Sequence, residues 1–119
     1  MNIAKKIQRG CHTQDLGTKR YALIWDNGFR IIGEPWKLAR LYLKTKNILF
    51  SLKKIDNHLF YFIKFREDGA WMRCRPIADS GDYRLNLRAA LTDYFHNGMK
   101  LRQDEFRIFR LKPRNSGIR

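Results

Sequence analysis

Aromatic and basic side chains alternate in the middle of the chain. The rings are Phe60, Phe62 and Trp71, and a base follows two residues after the last two of them, at Lys64 and Arg73. Successive side chains of a β-strand point to opposite faces, so this spacing places rings and cations on the same face. Rings can stack on nucleobases while cations hold phosphates, which is the chemistry of single-stranded nucleic-acid binding.

Two predicted turns decide which side chains share this face. Two-residue loops that pair Ile55 with His58 and Glu67 with Ala70 set the register of three neighbouring strands. One face is then almost wholly apolar, and we expect it to be the core: Ile48, Phe50, Leu52, Leu59, Tyr61, Ile63, Phe65, Ala70, Met72 and Cys74. The opposite face carries the rings and the bases: Leu49, Ser51, Lys53, Phe60, Phe62, Lys64, Trp71, Arg73 and Arg75.

This second face is the predicted binding surface. We expect its four cations to hold phosphates and its three rings to stack on bases or to enter a groove. Additional, non-specific affinity is expected from bases elsewhere in the chain: Arg84, Arg88, Arg110, Lys112 and Arg114. A second interpretation stays open, in which the rings are covered by the hairpin of residues 21–32, by the flank of the last strand or by the aliphatic stems of Lys and Arg.

The net charge points to the same class of partner. The 119 residues contain 25 Lys and Arg against 11 Asp and Glu, a formal charge of +14. The surplus lies in three blocks, with +4 in residues 1–20, +6 in residues 37–55 and +5 in residues 99–119. Such a distribution attracts polyanions and disfavours self-association, and nucleic acid is the most abundant large polyanion of a cytoplasm.

The elements that must position these residues follow from periodicity and turn signals. Asn27-Gly28 is a hairpin signal between two β-prone runs, and Pro35 suits the first turn of a helix. We predict strands at 21–25, 29–32, 48–55, 58–65, 70–75 and 106–111, with helices at 36–45 and from Ser80 or Asp82 to about His96. The second helix is predicted to bury one face: Tyr83, Leu87, Ala90, Leu91 and Tyr94. The fold class is therefore α+β, a single small domain in ββαβββαβ order with a mostly antiparallel sheet and both helices on one face.

The domain is expected to extend over residues 19–111. Residues 1–18 have no sustained periodicity and are predicted to form a loosely ordered basic arm with a short helical turn at 3–8, and residues 112–119 a basic tail. The sequence shows no internal repeat.

Three families share part of this layout. Residues 60–65, Phe-Tyr-Phe-Ile-Lys-Phe, resemble the second half of an RNA-recognition-motif signature, although the basic-Gly pair that should precede them is replaced by His58-Leu59. Residues 36–96, in α-β-β-β-α order, are similar to a double-stranded-RNA-binding domain, which implies phosphate contacts from Arg84 and Arg88. Residues 48–95 are equally similar to the arm-binding domain of phage integrases, which implies a sheet inserted in the major groove.

The residues that could support catalysis lack the necessary spacing. Cys11 and Cys74 are too few for a disulfide framework, and His12, His58 and His96 form no closely spaced ligand pairs with them. The acidic residues are spaced as turn residues or ion-pair partners rather than as a clustered metal site. We therefore expect a protein that is not an enzyme and needs no metal or cofactor.

The sequence thus predicts a non-enzymatic nucleic-acid-binding protein, with DNA or RNA as its partner. The alternative is a small regulator or inhibitor, of the kind that mobile elements carry, which docks on an acidic surface of another protein. No apolar run approaches the roughly 18 residues of a membrane helix, and the N-terminus has no apolar signal segment. We expect a cytoplasmic protein without a membrane partner, either a monomer or a weak homodimer.

Overall fold

The order of strands and helices repeats once along the chain. The computed structural model describes residues 11–66 and 69–99, and three strands followed by a helix occur twice in them. The first unit consists of β1 Cys11–Asp15, β2 Tyr21–Trp25, β3 Arg30–Gly33 and α1 Pro35–Lys46. The second unit consists of β4 Ile48–Ile55, β5 His58–Phe65, β6 Trp71–Ile77 and α2 Tyr83–Asn97. Since no internal sequence repeat accompanies it, the likeness is one of topology.

The strands form two antiparallel sheets, in the orders β1-β2-β3 and β4-β5-β6. The predicted α+β class is confirmed, but the strands do not join into the one sheet that was expected. The physical reason is the position of α1, which separates β3 from β4 along the chain and packs against both strands.

One hydrophobic core joins the two units. Trp25 of β2, Leu38 of α1, Tyr61 and Ile63 of β5 and Tyr94 of α2 are all at most 2% exposed and belong to a single cluster. The predicted core face of β4–β6 is confirmed, with its members buried or partly buried in that cluster or beside it. The exception is an exposed alanine at position 70, because β6 begins only at the next residue.

The two helices begin where their capping residues predict. Pro35 starts α1, and Asp82 caps α2 by accepting hydrogen bonds from the backbone N–H groups of Arg84 at 2.9 Å and Leu85 at 3.4 Å. The prediction that Tyr83 faces the core is wrong, since its side chain is 66% exposed. Tyr83 is the first residue of α2, and the buried part of the helix begins only at Asn86.

The first sheet differs from the prediction in two places. Cys11–Asp15 forms strand β1, which pairs with β2, where the sequence predicts a loosely ordered arm. The pairing with β2 stabilises a strand that the polar composition of these residues does not predict. The β2–β3 hairpin is confirmed, but Gly28 alone in its loop has a positive φ, of 89°. The backbone N–H of Gly28 bonds to the carbonyl of Trp25, and that of Trp25 to the carbonyl of Phe29, so the loop is longer than an Asn-Gly turn.

The β4–β5 register is confirmed, with Ile55 opposite His58. The β5–β6 register differs by two residues, because Lys64 lies opposite Trp71 where the predicted loop pairs it with Arg73. A shift of two residues preserves the side-chain alternation, so the shift by itself does not move any side chain to the opposite face.

A β-bulge interrupts β6 next to Tyr61. Phe62 lies opposite Arg73, whereas Phe60 lies opposite Pro76, so Cys74 and Arg75 together face one residue of β5. The predicted strand ends at residue 75, whereas β6 continues through Pro76 to Ile77. The edge position of β6 tolerates a residue without an N–H.

Several predictions lie outside the described residues: the helical turn at 3–8, the strand at 106–111, the tail at 112–119, Arg110, Lys112 and Arg114.

Candidate nucleic-acid interface

The face of β4–β6 that points away from α2 carries six of the nine predicted binding residues that lie within the described ranges. We call it the outer sheet face, and its members are Leu49, Ser51, Lys53, Phe60, Phe62, Lys64, Trp71 and Arg73. The ladder places Lys53 opposite Phe60, Phe62 opposite Arg73 and Lys64 opposite Trp71. Each cation therefore has a ring as its cross-strand neighbour, as the alternation of the sequence predicts.

The cations of the outer sheet face lie over its rings. The guanidinium carbon of Arg73 is 4.4 Å from the centroid of the Phe60 ring, and the Lys64 Nζ is 5.9 Å from the Trp71 ring. Such contacts contribute about 0.5–1 kcal/mol at exposed sites. Phe60 is partly buried, whereas Trp71 is 48% exposed. The face thus presents one exposed indole and one guanidinium plane rather than three bare rings.

Positive charge dominates this sheet. Strands β4, β5 and β6 contain five Lys and Arg and no Asp or Glu. Lys54 and Arg75 are neutralised on the helix side, by Asp79 and Asp93, each at 2.9 Å. In the described part of the chain no carboxylate lies within 4.0 Å of the Lys53 or Lys64 ammonium, so the charge that remains is on the outer sheet face.

The prediction that Arg75 belongs to this face is wrong. The bulge turns its side chain towards α2, where the Arg75 Nε donates a hydrogen bond to the Asp93 Oδ2. The buried Tyr61 donates its hydroxyl to the same carboxylate at 2.6 Å, and Asn97 donates to its other oxygen at 3.0 Å. Burial and the neighbouring carboxylate raise the pKa of Tyr61 above its usual range, so the phenol remains a donor. Arg75 therefore holds α2 on the sheet.

Arg84 and Arg88 also lie away from the outer sheet face. Both are on α2, which covers the opposite side of β4–β6, and Arg88 is about 140° around that helix from Asp93. The Arg88 guanidinium carbon lies 4.6 Å from the centroid of the Trp36 ring of α1. The predicted binding residues thus divide between two surfaces of the molecule.

This second surface is a groove between the two helices, which we call the helix groove. It consists of a cavity of about 220 Å³ between α1 and α2 and an adjoining, more open one of about 370 Å³ that is lined by α1 alone. Trp36 and Arg40 line both cavities. The other lining residues are Lys37, Leu41, Lys44, Arg84, Leu87, Arg88 and Leu91.

The sequence prediction omitted the α1 half of the helix groove. The available signal was the stripe of Lys37, Arg40 and Lys44, whose spacing places three cations on one side of a helix. Like charges four residues apart, as in Arg40 with Lys44, destabilise a helix by about 0.2–0.5 kcal/mol. Neither α1 nor α2 has an acidic residue in its first turn, where a carboxylate would favour the helix dipole.

The described residues offer little for nucleophilic or metal chemistry. Burial raises the pKa of Cys11 to about 11 and that of Cys74 to about 12, so neither thiol ionises near neutral pH. Within residues 11–66 and 69–99 no three His, Cys, Asp or Glu side chains are grouped closely enough to hold a metal ion. Neither helix in those ranges is long and apolar enough to cross a membrane.

Comparisons with protein-family models, with curated proteins and with solved structures found no match to this chain.

Proposed function

We propose that the protein binds single-stranded nucleic acid on its outer sheet face. The observation that carries this proposal is the setting of Trp71. Its ring is 48% exposed on the edge strand β6, has the Lys64 ammonium over it, and lies two residues before Arg73. An exposed indole beside two cations offers a base a stacking surface and offers the adjoining phosphates partners of opposite charge.

Each residue of the face has a distinct role in this proposal. Trp71 stacks on one base, and the Arg73 guanidinium, whose carbon lies 4.4 Å from the centroid of the Phe60 ring, offers a second plane on which a base can stack. Lys53, Lys64 and Arg73 hold phosphates. Since β4 and β6 are two strand spacings apart, about 10 Å, the face accommodates a short stretch of the chain that it binds.

The proposal favours unpaired bases over a duplex. Stacking on Trp71 and on Arg73 requires a base whose face is free, so a duplex would contact the cations alone. It also favours binding without catalysis, because the outer sheet face carries no carboxylate to hold a metal or to accept a proton. Both DNA and RNA provide the bases and the phosphates that this face would contact.

The three tryptophans supply the test. Their indole N–H signals report separately on the core through Trp25, on the helix groove through Trp36 and on the outer sheet face through Trp71. Titration of the nitrogen-labelled protein with a short oligothymidylate is expected to shift the Trp71 signal and to leave the Trp25 signal in place. The matching duplex should bind more weakly and shift Trp71 less. Binding that is visible by anisotropy but leaves the Trp71 signal unmoved would contradict the proposed surface.

A further inference from the structure

The helix groove combines an apolar floor with a basic rim. Leu91 is buried, and Trp36, Leu41 and Leu87 are partly buried, so aliphatic and aromatic surface forms the bottom. The cations above it are exposed, and both cavities open between them. A groove of this kind complements a ligand that is apolar along one side and acidic along its edges.

Four cations of the rim have no carboxylate partner among the residues that the structure describes. Lys37 is bound to Glu34, with 3.4 Å between the Nζ and the Oε2. No carboxylate of the described residues lies within 4.0 Å of the cationic groups of the others: Arg40, Lys44, Arg84 and Arg88. Like charges therefore face each other along α1, along α2 and across the groove, and an anionic ligand would remove that repulsion.

The terminal segments of this chain do not match the groove in charge. Residues 1–10 contain three Lys and Arg and no acidic residue, and residues 100–119 contain seven Lys and Arg against two acidic residues. Both segments would add repulsion to the rim. By their net charge, the terminal segments are therefore poor candidates to occupy the groove, and we look for the complementary charge in another molecule.

We propose that the helix groove binds an acidic amphipathic peptide segment of a protein partner. Aliphatic side chains of the segment enter the two cavities over Leu41 and Leu87, and its carboxylates pair with the rim. The Arg88 guanidinium carbon lies 4.6 Å from the centroid of the Trp36 ring, and the planar fork of a guanidinium can bind a carboxylate in bidentate fashion.

The same features disfavour a nucleic acid in this groove. Trp36 is partly buried and has two cations near its ring centroid, the Arg88 guanidinium at 4.6 Å and the Lys37 ammonium at 5.4 Å, so it offers a base less free surface than the more exposed Trp71 does. Phosphates need cations but gain nothing from a leucine floor. This proposal is independent of nucleic-acid binding on the outer sheet face, and either can fail without the other.

The test is a titration of the whole labelled protein with a short helical peptide that has leucines along one side and glutamates beside them. Two control peptides replace the glutamates by glutamine or the leucines by serine. The acidic leucine peptide is expected to shift the Trp36 indole signal and to leave Trp71 in place. We expect it to bind at least tenfold more tightly than either control peptide.

A pair of charge-matched variants locates the site. The Arg40→Glu/Arg88→Glu variant is expected to weaken peptide binding at least tenfold and to weaken oligothymidylate binding much less than the Lys53→Glu/Lys64→Glu variant does. The Lys53→Glu/Lys64→Glu variant changes the net charge equally on the outer sheet face and should keep the peptide affinity. Circular dichroism establishes that each variant is folded, and the Trp36 shift in the wild-type protein tests the site without any variant.

Three results would overturn the proposal. The first is a peptide that moves the Trp71 signal as much as the Trp36 signal, which means attraction by net charge alone. The second is a serine control peptide that binds as tightly as the leucine peptide, which means that the floor is not used. The third is an oligothymidylate that moves Trp36 and loses affinity in the Arg40→Glu/Arg88→Glu variant, which means that the groove is a nucleic-acid surface.

Discussion

Two pairs of cations make it possible to test the charge of the outer sheet face separately from the net charge of the molecule. Lys53 and Arg73 belong to that face, whereas Lys54 and Arg75 lie one and two residues further on and point to the helix side. The double variants Lys53→Ala/Arg73→Ala and Lys54→Ala/Arg75→Ala each remove two positive charges from the same two strands. Only the first removes charge from the proposed interface.

The expected magnitude follows from counterion release. Each phosphate contact with a single strand contributes about 0.7 to the slope of log affinity against log salt concentration. Loss of Lys53 and Arg73 should therefore reduce the slope by about 1.4, which is an affinity loss of about 25-fold at about 0.1 M salt. Because Arg73 also offers its guanidinium plane to a base, the measured loss should exceed this electrostatic part.

The helix-side variant should keep the slope and lose stability instead. Lys54 is bound to Asp79 and Arg75 to Asp93, so neither is available to a phosphate in the folded protein. These pairs are partly exposed, with both cations about half exposed, and each contributes at most about 1 kcal/mol. Urea unfolding should show a small decrease in the free energy of unfolding for this variant.

The assay is fluorescence anisotropy of a labelled oligothymidylate, titrated with each folded variant over a series of salt concentrations. The expected result is a reduced slope for Lys53→Ala/Arg73→Ala and an unchanged slope for Lys54→Ala/Arg75→Ala. Equal reductions in the two variants would refute the reasoning. They would show that the ligand responds to the charge of the whole protein rather than to one face.

Three further predictions concern the interactions that hold the fold. Tyr61→Phe removes the hydroxyl that donates to Asp93 and should lower the free energy of unfolding by about 1.5–3 kcal/mol in urea denaturation. An unchanged value would show that the bond makes no net contribution. Asp82→Ala removes the N-cap of α2 and should lower the stability by about 1 kcal/mol, measured as a lower melting temperature, whereas Asp82→Asn should retain most of it. Equal losses in both would mean that the charge of Asp82, not its capping bond, is what matters. Since burial raises the pKa of Cys11 to about 11 and of Cys74 to about 12, both should react slowly with a thiol reagent near neutral pH in the folded protein and quickly in denaturant. Fast labelling of the folded protein would contradict the burial of these thiols.

The outer sheet face could be predicted because strand side chains alternate with a period of two. That period assigns Phe60, Phe62 and Lys64 to one face of β5 and Tyr61 and Ile63 to the other, whatever the neighbouring strand is. The face of Arg73 follows from the loop between β5 and β6, which sets the register. The error in the β5–β6 register did no harm, because it amounted to an even number of residues. The turn at Asp56-Asn57 could be predicted for a similar reason, since both residue types accept the positive φ values of 51° and 66° found there.

The face on which Arg75 lies could not be predicted from the alternation of strand side chains. Its face depends on a bulge, and a bulge arises from the fit between two strands rather than from one strand's pattern. In this sheet the bulge lies next to Pro76, which has no N–H to donate to the ladder. It also lies near Asp93, which accepts a hydrogen bond from the Arg75 side chain. The local sequence does not show which residue lies opposite Pro76, and it does not show that Asp93 lies nearby.

The sequence by itself determined the secondary structure around α1 and α2 and the composition of each strand face, because capping, turns and periodicity are local. Tertiary packing alone decided that Arg84 and Arg88 face Trp36 and Arg40 across a groove, far around α2 from the sheet that it covers. The sequence of a helix shows which of its sides is apolar, but it does not show which other element that side will pack against. The separation of the cations into two surfaces is therefore a property of the assembled core.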